Sequence, residues 1–193
     1  MNWDEYLPLA ERTLSTEFHC EQKEELLLHA VIGSLTEVEE LLDNYNNGKL
    51  VTDINKQGSV AEESSDIFWY LSILCRELNI EVSIDSSKWD MTNNEIETDP
   101  FYVLVSFTKV SLKFLDLLKK KLYYNKDMSS DLMVKYSIEM FNLLNYYCYL
   151  YNTDVSKILD KNIEKLRARY GDKFSSYKAI NRDLITEKKI LEN

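Results

Sequence analysis

The sequence predicts an all-α protein: a helical bundle of two tandem helical hairpins, the second a degenerate repeat of the first, followed by C-terminal helices. Three observations carry this. Apolar residues recur at helical spacing over long stretches. Four Gly and two Pro in 193 residues are too few for the corners of a sandwich or barrel of short strands. The chain also matches itself when slid by 73 positions: Phe68, Leu71, Cys75, Asn79, Val82 and Ser83 fall without a gap on Phe141, Leu144, Cys148, Asn152, Val155 and Ser156. Upstream, at a shift of 72 that becomes 73, Thr36 and Val38 fall on Thr108 and Val110, and Leu42 and Asp43 on Leu115 and Asp116. Chance matching of two apolar helices is the alternative to common origin. The preferred reading is two hairpins packed as a single-chain pseudo-dimer.

The elements follow in order. Leu28, Val31, Leu35, Val38 and Leu42 mark a helix from about Gln22 to Asn46, ended by Asn46-Asn47-Gly48. A second runs from about Ser59 to Leu78. A polar stretch from Ser83 to Pro100 is a connector. Helices from about Phe101 to Tyr124 and Ser129 to Tyr151 form the second hairpin. Thr153-Asp154 is a good N-cap pair for a helix reaching Tyr170, where Gly171 stops it. A charged helix from about Ser175 to Leu191 ends the reading. One domain spans 1–193, with a metal-binding half at 1–88 and a degenerate second half with a basic tail at 101–193.

Composition bounds the function. With 45% hydrophobic residues the chain supports a core, and a disordered chain is excluded. Its net charge of -10 argues against nucleic acid as the main partner. Cys20, Cys75 and Cys148 are an odd set without CxxC spacing, and Cys75 and Cys148 lie in apolar stretches as buried free thiols do. Two histidines, His19 and His29, leave no HExxH site. The acidic start Met1-Asn2-Trp3-Asp4-Glu5 is unlike a signal peptide, and no apolar run is long enough to cross a bilayer. The expectation is a soluble cytoplasmic protein without a membrane partner.

The chemistry concentrates in carboxylates. Glu37 and Glu40 are three apart on the first long helix, and Glu63 and Asp66 three apart on the second, so each pair shares a helix face. In an antiparallel hairpin all four can converge, and a hard cation with oxygen ligands relieves their repulsion. Magnesium is the natural cation and manganese its substitute. The alternative is a solvated acidic face. Against it, the second helix is apolar nearly all round, and Glu63 and Asp66 share the sector of Tyr70 and Ile73, where a carboxylate is desolvated and needs a partner. The second half has Lys109, Lys113, Tyr136 and Glu139 at the corresponding places, so only the first half can hold a divalent cation.

A basic cluster follows. Lys165 and Arg169 are i, i+4 on one helix face with Asn162 a turn before, an arrangement able to grip a polyphosphate. Cations dressing a helix C-terminus are the alternative. Trp69, Tyr70 and the Tyr146-Tyr147-Tyr149-Tyr151 group are stacking surfaces for a base or, at helical spacing, core.

These residues resemble the all-α nucleoside triphosphate pyrophosphatases, in the MazG-like branch common in bacteria and phages. Leu28 to Asp43 looks like the family's first motif, ExxE with a Gly four residues ahead, and Glu62 to Leu71 like its second, ExxD running into an apolar segment. Asn162 to Phe174 is similar to its NxxKLxxRY segment. The resemblance covers roughly Trp3 to Leu78 and Asn152 to Glu187. It implies that Glu37, Glu40, Glu63 and Asp66 ligate magnesium and that Lys165 and Arg169 contact substrate phosphates; Asn162, a turn before them, is read as a further phosphate contact. It also implies hydrolysis of a nucleoside triphosphate to the monophosphate and pyrophosphate, with Glu37 chosen as the catalytic glutamate that orients the water. Two departures stand out. Thr36 occupies the place where many members carry a further acid, and about 80 residues separate the ExxD helix from the tail. Complementary loss explains the second, copy one keeping the acids and copy two the tail.

Rival readings are a dUTPase-like specialist of the same superfamily and a noncatalytic helical binding protein on this scaffold. Neither GxxxxGK[ST] nor GxGxxG is present, which excludes P-loop and kinase-like phosphoryl transfer. A homodimer suits the Tyr-rich helix surfaces, and the duplication offers an internal substitute for one.

Overall fold

The computed structural model describes residues 1–13, 23–46, 48–50, 60–84, 99–124, 126–171 and 173–181. Among the described residues the chain forms seven helices and one minimal hairpin: α1 (Trp3–Glu11), α2 (Lys23–Leu42), β1 (Tyr45–Asn46), β2 (Lys49–Leu50), α3 (Val60–Leu78), α4 (Pro100–Tyr124), α5 (Ser130–Leu150), α6 (Val155–Tyr170) and α7 (Ser176–Ile180). The all-α bundle expected from spacing is the observed architecture.

Helix α2 packs against α3 and α4, and α5 packs against the same two, so the two hairpins stand side by side as a four-helix ring. Helix α6 lies on α3, and α1 closes over both. Fully buried Phe68, Phe107, Phe114, Phe141 and Tyr147 join the two hairpins in one continuous core. Burying a large apolar side chain contributes roughly 1.5–3 kcal/mol, and each hairpin supplies its share to the other.

The 73-residue shift also pairs two helix ends of like backbone. Asn79 and Asn152, matched at the 73-residue shift, both adopt left-handed φ, 59° and 52°. Each lets the next amide fold back on its helix: Ile80 N–H donates to Cys75 O and Thr153 N–H to Cys148 O, both at 2.9 Å. Asn tolerates this conformation, which explains one residue type at both helix ends.

Several expected boundaries shift. Helix α1 was not foreseen, since nine residues are too few for a periodic pattern. Its signal is the capping box, in which Glu5 N–H donates to Asn2 Oδ1 and Asn2 N–H to Glu5 Oε2. Helix α2 stops at Leu42 instead of Asn46, because Tyr45 and Asn46 pair with Leu50 and Lys49 across the Gly48 turn, at φ 75°. Its buried stripe is Leu27, Ala30, Val31, Ser34, Val38 and Leu41, with Leu28, Leu35 and Leu42 half-buried at the margin. The stripe rotates because two neighbours, α3 and α4, share this helix. Pro100 opens α4 where its missing N–H costs nothing. The Asp154 cap and Gly171 stop of α6 are as expected. Most of the connector, the tail of the last predicted helix beyond Asn181, and His19 and Cys20 lie outside the described residues. Cys75 and Cys148 are buried and free, their thiols pushed up to about 12 by burial. No described helix is long and apolar enough to cross a membrane.

Candidate metal and phosphate site

Helices α2 and α3 run antiparallel. Gly33 faces Tyr70 while Glu37, one turn on, faces Asp66 and Glu63, one and two turns back. Gly33 permits this approach, since a Cβ there would overlap the Tyr70 ring. Oxygens of Glu37, Glu63 and Asp66 lie within 4.8 Å of one another. Glu40 lines the same cavity but is solvent-exposed and stands outside that group.

The cluster sits in a cavity of about 620 Å³. Glu37, Glu40, Glu62, Glu63 and Asp66 form its acidic wall, and Arg169 and Tyr170 of α6 face it. His29, Trp69 and Tyr70 make an aromatic flank, with ring centroids 5.0 to 6.1 Å apart. Partial burial lowers His29 below its ordinary value. Glu63 is 8% exposed, and its carboxyl is pushed up to about 8, first by burial and then by the charges of Glu62, Glu40, Asp66 and Glu37. Three hard oxygen donors at this separation, one of them pushed toward its protonated form by burial and by its neighbouring carboxylates, are a donor set that fits magnesium or manganese.

Among the described residues, Asp66 differs from Glu63 in having hydrogen-bond donors on its carboxylate. The Lys165 ammonium, 0% exposed, donates to both Asp66 oxygens at 2.6 Å. Asn162 Nδ2 donates to Asp66 Oδ1 at 2.9 Å and to Ser65 Oγ at 3.1 Å. The basic tail thus reaches the acids of its own chain. Lys165 and Asn162, expected to hold substrate phosphates, are buried against α3 and engage Asp66, leaving Arg169 as the cavity-lining member of the three.

No family model, curated protein or solved structure significantly matches the chain. The reading of this site therefore rests on its own geometry and on the motifs quoted above.

Sequence reasoning missed Tyr6. Its hydroxyl donates to Asn162 Oδ1 at 2.7 Å, from a helix that only its capping box announces. Nothing in the spacing of residues 156 positions apart signals that contact.

Proposed function

We propose that the chain is a magnesium-dependent nucleoside triphosphate pyrophosphohydrolase, cleaving (d)NTP to (d)NMP and pyrophosphate. The observation that carries this is the convergence of Glu37, Glu63 and Asp66 in one cavity that also presents Arg169. The resemblance to MazG-like motifs supplies the reaction class.

Glu37, Glu63 and Asp66 would hold the metal, with Glu40 at the rim. Magnesium, when bound, supplies charge for the phosphate oxygens and makes an attacking water more acidic. Glu37 orients that water toward the phosphate and accepts its proton. Arg169 grips the outer phosphates in forked geometry and stabilises the charge of the departing pyrophosphate. Lys165 and Asn162 hold Asp66 in place. His29, Trp69 and Tyr70 flank the cavity as stacking surfaces for a base. Acids of α2 and α3 and Arg169 of α6, all of one chain, line the cavity.

Pyrophosphate release from a panel of ribo- and deoxyribonucleoside triphosphates with magnesium tests the reading. Activity in the native chain, abolished in Glu63→Gln and weakened at least tenfold in Arg169→Ala with folding intact, supports it. No release with any nucleotide or metal overturns it in favour of a noncatalytic binding protein. Hydrolysis confined to dUTP favours the specialist of the same superfamily.

A further inference from the structure

Asp66 is a carboxylate that only accepts hydrogen bonds when ionised, so the Asn162 atom facing it must be the amide nitrogen. Asn162 Nδ2 spends one hydrogen on Asp66 Oδ1 and the other on Ser65 Oγ, whose own hydrogen goes to Glu62 O at 2.7 Å. Asn162 Oδ1 then points away from α3 and receives the Tyr6 hydroxyl at 2.7 Å. Donor and acceptor roles are forced along the whole chain Tyr6, Asn162, Asp66. Tyr6 and Asn162 are both 0% exposed, so no solvent competes for these bonds. Turning the Asn162 amide over would set its oxygen against the Asp66 carboxylate and take from the buried Tyr6 hydroxyl hydrogen the acceptor it now has. With Asn162 on Oδ1 and Lys165 on both oxygens, Asp66 keeps its remaining accepting capacity mainly on Oδ2.

We infer that Tyr6 is a positioning residue for the metal centre: by fixing the Asn162 amide it orients Asp66, from a helix that contributes no metal ligand. This rests on the proposed metal-binding reading and adds a residue that touches neither metal nor substrate. Outer partners that orient ligands typically change metal affinity by about 10–100-fold; Tyr6 acts one step further out, so the effect expected of it is smaller.

The test is direct titration of the full chain with Mn2+, without nucleotide, for the native protein, Tyr6→Phe, Asn162→Ala, the double variant and Trp3→Phe. Trp3 is a second buried aromatic of α1 whose indole N–H makes no hydrogen bond among the described residues, so Trp3→Phe repacks α1 without breaking one. Expected are Mn2+ binding weakened about threefold to tenfold in Tyr6→Phe, native affinity in Trp3→Phe, and no further loss from Tyr6→Phe once Asn162 is Ala. Native affinity in Tyr6→Phe overturns the assignment, as do equal losses in Tyr6→Phe and Trp3→Phe. Should Asn162→Ala fail to fold, the Tyr6→Phe and Trp3→Phe comparison decides by itself. A native chain that binds no Mn2+ overturns the metal reading and the assignment together, whereas unchanged Tyr6→Phe beside a binding native chain overturns the assignment alone.

Discussion

Lys165 on α6 sets its buried ammonium 2.6 Å from both carboxylate oxygens of Asp66 on α3, 99 positions earlier in the chain. This pair joins the tail of the second half to the acids of the first. It also separates Asp66, whose carboxylate is met by Lys165 and Asn162, from Glu63, which burial and neighbouring carboxylates push toward its protonated form.

Breaking that pair leaves a partly buried carboxylate beside Glu37 and Glu63. Lys165→Met is expected to cost about 3 kcal/mol of stability, while Lys165→Met with Asp66→Asn costs far less. Urea unfolding of the two variants without metal checks this, and equal losses would refute the role of the uncompensated charge.

The pH dependence follows from Glu63. Its folded value near 8 lies above the ordinary 4.5, because burial and then the surrounding carboxylates disfavour its charge. The folded chain therefore keeps a proton that the unfolded chain has lost. Metal-free stability is fullest below about pH 4.5, falls as pH rises toward about 8, then levels on this account. Melting temperatures of the native chain and Glu63→Gln across this window check it. The Gln variant should lose that part of the decline, and magnesium should raise the native melting temperature most at the alkaline end.

Gly33 is the contact that lets α2 and α3 approach. Gly33→Ala drives a methyl group into the Tyr70 ring and is expected to cost about 1–3 kcal/mol. Adding Tyr70→Ala should recover part of the loss, a non-additivity readable in a double-mutant cycle.

The two matched helix ends make a symmetric prediction. Asn79→Ala and Asn152→Ala should each cost about 1 kcal/mol, because Ala fits left-handed φ poorly. The corresponding Gly variants should be neutral or stabilising by about 0.5 kcal/mol. Denaturation of the four proteins gives the answer, and unequal behaviour would weaken the structural equivalence of the repeats.

Helix type, hairpin order and the acid pairs were legible in the sequence because they are local. The 3.6-residue period places Glu37 with Glu40 and Glu63 with Asp66 on shared faces whatever else the chain does. Asp154 and Gly171 mark the ends of α6 by their own backbone chemistry, and Asn79 and Asn152 betray the repeat for the same reason. Which residues those faces meet was not legible. Only packing brought Glu63 into the group with Glu37 while leaving Glu40 at the exposed rim. Packing likewise turned Lys165 and Asn162 from the cavity onto Asp66 and carried Tyr6 to Asn162. Helical periodicity assigns a residue an angle about its own axis; the partner at that angle is set by how α1 to α6 share one core, a sum of many weak contacts that no short window of sequence contains.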